Sequence, residues 1–319
     1  MIKTAGGMAE VVDLKPERLK DEVPILFAPA WACTIPVYKP TLKTLVKEGR
    51  SVLSLNHPRI GGVIHLTGEN KALTAEFPTE EVRKALTLLD ILREKQIEKV
   101  DVIAHSEGAL NAALAALLSP EKFRNIVFFA PPGLIGEDTP KRLLQGFLAQ
   151  GNPKPSLNEM AVSEKDKAKA RSEGLDAIEY PAIIENPEAK EAIVGSGKVP
   201  VMVQEFAKYV GKNPIRSVRE GWGMSQIQIV DLIEKLRGQG IGIVVITGVD
   251  DPVFPIERMA GTQDKDTFEL TPGTVRKGTV DGFLAVRGGH GQLGDNPERY
   301  AVAANQMLED LRDRKGKRQ

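Results

Sequence analysis

The chain has 319 residues, of which 41% are hydrophobic and 27% are charged, as in an ordinary soluble globular protein. Lys plus Arg and Asp plus Glu both number 43, so the net charge is zero and no overall field favours nucleic acid or an anionic membrane. No apolar run approaches the length of a membrane span, and residues 1–10 lack the apolar core of a signal peptide. The single cysteine, Cys33, excludes an intrachain disulfide, so we expect a cytoplasmic protein.

Short apolar runs alternate with segments of helical period along most of the chain. In chain order the predicted strands are 23–28, 51–55, 100–104, 126–130, 241–247 and 282–287. Runs that are apolar on both faces suit a parallel sheet covered by helices. One such helix is predicted to follow an N-cap at Thr79, with apolar residues recurring from Val82 to Leu92. The alternation predicts a doubly wound α/β fold.

One long stretch, residues 137–223, contains no convincing buried strand and becomes charged and helical near its middle. We interpret it as a mainly helical cap inserted into a core formed by residues 1–136 and 224–319. A second, smaller insertion is expected between Gly261 and Asp281. Most of the larger apolar residues of the cap are expected to pack its own core; they are Phe147, Met160, Tyr180, Met202, Phe206 and Tyr209.

The heptapeptide Val102–Gly108 reads Val-Ile-Ala-His-Ser-Glu-Gly and lies between a predicted strand and an Ala/Leu-rich helix. A serine at the apex of a sharp strand-to-helix turn needs small residues two positions before and after it, which are Ala104 and Gly108 here. This context is that of a G-x-S-x-G nucleophile elbow with alanine in place of its first glycine. Ser106 is therefore the candidate nucleophile.

A serine hydroxyl needs a base that accepts its proton and a third group that orients this base. Of the four histidines, His105 adjoins Ser106 on the strand and should point away from it, whereas His57 and His65 follow the second predicted strand. His290 follows the last strand in a glycine-rich loop, at the end of the sheet where α/β folds assemble their sites. We therefore expect His290 to be the base.

The orienting acid should also follow a strand, and the segment 246–255 offers both Asp250 and Asp251. An acyl-transfer site further needs N–H donors for the developing oxyanion. One is the backbone N–H after the nucleophile, at Glu107. By its position in the loop after the first strong strand, Trp31 is the best candidate for the other.

These landmarks together resemble the α/β-hydrolase superfamily, over about residues 23–132 and 224–311. Ala-His-Ser-Glu-Gly resembles its nucleophile elbow, and Gly-Val-Asp-Asp-Pro resembles its acid turn, in which the family pattern favours Asp251 over Asp250. Gly-Gly-His290 resembles its histidine loop, and the order Ser, Asp, His is that of the family. Two features depart from the pattern: Pro29-Ala30 replaces the usual His-Gly oxyanion sequence, and the stretch from Asp251 to His290 is longer than usual.

The resemblance implies a serine hydrolase that acts on a small-molecule carboxylic ester or lactone and needs no metal and no organic cofactor. Two alternatives remain open: a C–C-bond hydrolase or perhydrolase on the same triad, or a non-catalytic ligand-binding protein with this fold. The sequence predicts no nucleic-acid partner and no particular oligomeric state.

Overall fold

The computed structural model describes residues 1–58, 69–136, 138–149, 201–212, 214–248, 251–260, 262–263, 270–271, 279–286, 289–295 and 297–316. Its strands are β1 (Ile2–Thr4), β2 (Gly7–Leu14), β3 (Asp21–Ala28), β4 (Arg50–Asn56), β5 (Val100–His105), β6 (Phe123–Phe129), β7 (Gly242–Gly248), β8 (Thr262–Gln263), β9 (Leu270–Thr271) and β10 (Gly282–Val286). Its helices are α1 (Ile35–Lys47), α2 (Glu69–Glu76), α3 (Thr79–Glu94), α4 (Glu107–Leu118), α5 (Pro140–Leu148), α6 (Val201–Lys212), α7 (Pro214–Gln226), α8 (Val230–Gly238), α9 (Ile256–Ala260), α10 (Gln292–Asp295) and α11 (Pro297–Gly316).

Eight strands form one sheet in the order β1-β2-β4-β3-β5-β6-β7-β10. Strand β2 pairs antiparallel with β1 and β4, and the other neighbours pair in parallel. All six predicted strands are present, and the predicted doubly wound α/β fold is confirmed. The antiparallel pair β1–β2 at the edge was not predicted, because Glu10 and Asp13 interrupt residues 7–14 and leave no apolar run of strand length.

Both faces of the sheet are buried, and successive residues of each central strand alternate between two cores. On β5, Ile103 belongs to the core that α1 and α11 cover, whereas Val102 belongs to the core that α3, α4 and α8 cover. Since both faces are apolar, the parallel strands can be apolar throughout. Because these strands run in parallel, their carboxyl ends lie together at one edge of the sheet.

Two predicted boundaries differ in detail. Helix α3 begins at Thr79 itself, and the residue that flanks it is Pro78, whose φ of −56° and ψ of 135° suit the entry into a helix. Thr79 is therefore not the N-cap. The proposed end of the cap at residue 223 falls inside α7, which continues to Gln226.

The described part of the predicted cap contains only helices: α5, α6 and most of α7. Residues 150–200, including Met160 and Tyr180, lie outside the described residues, and so does most of the second predicted insertion. The division into core and cap stays a prediction. No helix in the described ranges combines the length and the apolar character that crossing a membrane requires.

A buried ion-pair network joins the amino ends of four strands. The Asp101 carboxylate on β5 accepts hydrogen bonds from Arg50 at 2.6 Å and from Arg124 at 2.5 and 2.9 Å. Arg124 also pairs with Asp21 at 2.6 Å. Because Arg50 is 1% exposed, this network holds a guanidinium charge that water cannot solvate.

We expect Asp101→Asn to lower the free energy of unfolding by about 3–5 kcal/mol, because it removes the close partner of the buried Arg50 charge and leaves Asp21, at 3.9 Å. Urea denaturation followed by circular dichroism measures this loss. The matched control is Asp13→Asn, whose carboxylate pairs with Lys15 and Lys95 at the surface and should contribute less than about 1 kcal/mol. Equal losses in the two variants would contradict this account.

Candidate active site

Ser106 occupies the sharp turn between β5 and α4. Its φ of 51° and ψ of −124° lie outside the regions that L residues favour, and its N–H donates to the Phe129 carbonyl at 2.8 Å. A Cβ at Gly108 would lie 2.4 Å from the Ala28 carbonyl oxygen, closer than real contacts allow, so the close approach of α4 to the end of β3 requires glycine. The predicted strand–turn–helix context of Ser106 is therefore present.

The structure brings Ser106, His290 and Asp251 together. His290 Nε2 lies 2.8 Å from Ser106 Oγ, and His290 Nδ1 lies 2.8 Å from Asp251 Oδ2. The other carboxylate oxygen of Asp251 accepts the backbone N–H groups of Val253 and Phe254 at 2.8 and 3.1 Å. Asp251 follows β7 and His290 follows β10, so this pair lies at the ends of neighbouring strands. Asp250, the alternative acid, lies outside the described residues.

All three side chains are shielded from bulk water. Ser106 is 1% exposed, Asp251 is 2% exposed and His290 is 4% exposed. Burial strengthens the hydrogen bonds that hold the imidazole, because the surrounding dielectric is low. If the proton on Nδ1 donates to Asp251 Oδ2, the lone pair of Nε2 in the neutral ring faces the Ser106 hydroxyl. This is the arrangement in which an imidazole can accept a hydroxyl proton.

The His105 side chain contacts Tyr38 and the backbone of His290. Its Nε2 lies 2.9 Å from the His290 carbonyl oxygen, which can only accept, so this nitrogen carries the proton. Its Nδ1 therefore accepts from the Tyr38 hydroxyl at 2.8 Å, and the Tyr38 oxygen accepts the Ala30 N–H at 3.1 Å. Burial, with a smaller contribution from the charge of His290, lowers the pKa of His105 to about 3. His105 is thus a neutral link between the Ala30 loop and the backbone of His290.

Of the other two histidines, His65 lies outside the described residues and His57 lies within them. Burial, then the charges of Lys84 and Arg216, lowers the pKa of His57 well below its ordinary value. Neither ring nitrogen of His57 has a hydrogen-bond partner within the described ranges. His290 is therefore the histidine that contacts the serine.

The two predicted oxyanion donors lie at the ends of neighbouring strands. Glu107 is the first residue of α4, directly after β5, and Trp31 follows β3, which pairs with β5 in parallel. In the loop, the Cys33 N–H donates to the Ala30 carbonyl at 3.1 Å, and Ala32 has a φ of 58°. This tight turn directly follows Pro29, in the segment where Pro29-Ala30 replaces the usual His-Gly oxyanion sequence.

Aromatic rings surround the imidazole of His290. The Phe254 ring lies 5.1 Å from it and the Phe147 ring 6.0 Å from it, centroid to centroid, and Phe147 also meets the Trp31 ring edge-on at 5.5 Å. Phe147 lies on α5, which packs so closely that a Cβ at Gly146 would lie 2.5 Å from the Pro252 carbonyl oxygen. Phe147, one of the larger apolar residues of the predicted cap, therefore lies against the site.

Two further charged residues were missed by the sequence analysis. Lys84 on α3 lies 2.5 Å from the Glu107 carboxylate and 3.0 Å from that of Glu220 on α7. Lys84 is spaced four and seven residues from the buried Leu88 and Ile91, so the helical period places it on the apolar face. A lysine on the apolar face of a predicted helix could have indicated a buried partner for Lys84, whereas nothing in the local sequence marks Glu220.

Among the described residues, no group of three His, Cys, Asp or Glu side chains could hold a metal ion.

Comparisons with known proteins agree with this architecture. The family model for the alpha/beta hydrolase fold matches residues 23–267. No curated protein matches the chain by sequence.

Solved structures with a similar fold include two esterases and a meta-cleavage product hydrolase. A thermophilic esterase from Thermogutta terrifontis is 15% identical, with 97% of this chain and 98% of that chain covered and a TM-score of 0.57. A meta-cleavage product hydrolase from Pseudomonas fluorescens IP01 is 16% identical, with 97% of each chain covered and a TM-score of 0.53. Naproxen esterase from Bacillus subtilis is 13% identical, with 96% and 90% covered and a TM-score of 0.53.

At these identities the solved structures show a common fold, and the family match extends over most of the sheet, from β3 to the acid turn and beyond. The chain belongs to the alpha/beta hydrolase fold family.

Proposed function

We propose that the protein is a serine hydrolase that cleaves a carboxylic ester or lactone through an acyl-enzyme on Ser106. The observation that carries this proposal is the continuous chain from Ser106 Oγ to His290 Nε2 and from His290 Nδ1 to Asp251, with 2.8 Å at each step. Residues in this order and geometry are those of a triad that activates a serine.

In the first half-reaction, Ser106 Oγ attacks the substrate carbonyl carbon while His290 Nε2 accepts the hydroxyl proton. The carbonyl oxygen becomes an oxyanion, to which the backbone N–H groups of Glu107 and Trp31 donate. Asp251 stabilises the imidazolium that forms. When the tetrahedral intermediate collapses, His290 returns its proton to the departing alkoxide, and the acyl group remains on Ser106.

In the second half-reaction, water attacks the acyl carbon while His290 Nε2 accepts a proton from it. The new tetrahedral intermediate expels Ser106 Oγ, which recovers its proton from His290, and the carboxylic acid leaves. An acyclic ester yields an acid and an alcohol, whereas a lactone yields a single hydroxy acid. Apart from the substrate and water, every group used in these steps belongs to the chain.

The surroundings of the triad favour an uncharged, partly apolar acyl group. The rings of Phe147 and Phe254 lie beside the imidazole, and the described helices α5 and α7 cover this side of the sheet. Two of the structural relatives are esterases, which is consistent with this substrate class. The mainly helical segment that we assign as a cap would then determine which acyl groups enter.

The first test is covalent labelling. We expect a fluorophosphonate probe to label the folded protein at Ser106 and Ser106→Ala to abolish the label, because only an activated serine displaces fluoride at a useful rate. Mass spectrometry of proteolytic fragments locates the adduct. A folded protein without a label at Ser106 would refute the proposal and favour the non-catalytic alternative. Labelling without turnover of p-nitrophenyl esters or acyl lactones would instead favour a C–C-bond hydrolase or perhydrolase on the same triad.

The second test concerns the acid. We expect Asp251→Asn to lower kcat for a p-nitrophenyl ester by roughly 10³–10⁴-fold, because an amide no longer holds the tautomer of His290 that accepts the serine proton. Steady-state kinetics measure the change. Asp90→Asn is the matched control, since that carboxylate contacts Arg93 and the Ala5 N–H near the surface, and should leave kcat unchanged. A kcat in Asp251→Asn within tenfold of wild type would remove Asp251 from the mechanism.

A further inference from the structure

A continuous chain of side chains joins the two residues assigned as oxyanion donors. The Trp31 indole N–H donates to Glu220 Oε2 at 2.8 Å. Lys84 Nζ lies 3.0 Å from Glu220 Oε1 and 2.5 Å from Glu107 Oε1. We call this set, Trp31–Glu220–Lys84–Glu107, the donor bridge. Its two ends are the side chains of the residues whose backbone N–H groups would hold the oxyanion.

The charges of the donor bridge are buried and mutually paired. Lys84 is 3% exposed, Glu107 is 1% exposed and Glu220 is fully buried. Burial by itself would lower the pKa of Lys84, but the carboxylates of Glu107 and Glu220 raise it above its ordinary value. Burial opposes ionisation of Glu220, but Lys84 and Arg216 hold the pKa of Glu220 below its ordinary value. Lys84 and Glu220 therefore stay ionised, and a buried ion pair of this kind tolerates little displacement.

The members of the donor bridge come from separate elements. Lys84 lies on α3, Glu107 begins α4, Trp31 follows β3 and Glu220 lies on α7. Helix α7 also lies directly against the Trp31 ring, since a Cβ at Gly221 would be 3.5 Å from its Cη2 atom. Glu220 is further held by Arg216 at 3.0 Å and by the Tyr209 hydroxyl at 2.8 Å. The position of the oxyanion loop is thus tied to a helix of the inserted segment.

We propose that Glu220, acting with Lys84, is a positioning residue that sets the relative placement of the Trp31 and Glu107 N–H groups. Docking of α7 through Glu220 then completes the oxyanion hole. This inference rests on the proposed serine hydrolase function and extends it, because it assigns to the inserted segment a role in the chemical step as well as in substrate choice.

The test is Glu220→Gln. Trp31 donates to Glu220 Oε2 and Lys84 Nζ lies at Oε1, so an amide places its NH₂ group, which cannot accept, against one of these two donors. We expect kcat for a p-nitrophenyl ester to fall by roughly 10- to 100-fold, the effect of a misplaced oxyanion donor, with KM within about twofold of wild type. The affinity for a trifluoromethyl ketone, which forms a tetrahedral adduct on Ser106, should fall in parallel with kcat/KM.

Two other variants keep the test decisive. Trp31→Phe removes the indole N–H at one end of the donor bridge and keeps an aromatic ring beside Phe147, and we expect it to lower kcat in the same way. The double variant Trp31→Phe/Glu220→Gln should then be no slower than Glu220→Gln, since both changes break one chain. The matched control is Trp222→Phe, an exposed residue of the same helix, which should leave kcat and KM unchanged.

The outcomes separate this inference from the proposed function. An active, Ser106-labelled wild type whose folded Glu220→Gln variant keeps kcat within twofold would overturn the positioning role alone. A rise in KM with unchanged kcat would also overturn it, because it would assign Glu220 to substrate binding. If Glu220→Gln does not fold, Trp31→Phe decides: a kcat within twofold of wild type overturns the inference, and a larger fall in kcat with constant KM supports it.

Discussion

The close contact between the start of α4 and the end of β3 is the constraint on which the candidate site depends. The Ala28 carbonyl oxygen lies where a side chain at residue 108 would have to be, so the helix can approach only because Gly108 has none. This approach brings the start of α4 beside Ala28 and Pro29, where the loop that carries Trp31 begins. It also fixes the turn that holds Ser106 in a conformation unfavourable for a serine, a local cost that the surrounding packing offsets.

The buried charges around this contact are arranged in two separate networks with different roles. The Asp101 network joins the amino ends of the strands and lies at the edge of the sheet opposite the triad. The donor bridge lies at the carboxyl ends and connects α3, α4 and α7. A buried ion pair adds little net stability compared with apolar packing, but breaking it is costly, so such a pair restricts the arrangements that the elements can adopt. At the carboxyl ends, the donor bridge therefore restricts how the segments that carry the Trp31 and Glu107 N–H groups can move relative to each other.

The parts of the site that follow local rules could be predicted from the sequence. Ser106, Asp251 and His290 each follow a strand within a short, recognisable segment, and the parallel topology then brings them to one edge. Lys84 and Glu220 could not be paired in this way, because two residues so far apart in the chain leave no shared local pattern. The antiparallel β1–β2 edge was missed for a related reason: a half-exposed strand such as 7–14 contains too few consecutive apolar residues to stand out.

The hydrogen bond from His105 to the His290 carbonyl has a consequence for how this chain can vary. The strand that leads into Ser106 also holds the main chain of His290, so the proposed base is positioned by the sheet as well as by its own loop. The chain between Asp251 and His290 can therefore change in length without displacing the imidazole. Insertions there are open to evolution as a means of reshaping the entrance, while the distances between the reacting atoms are kept.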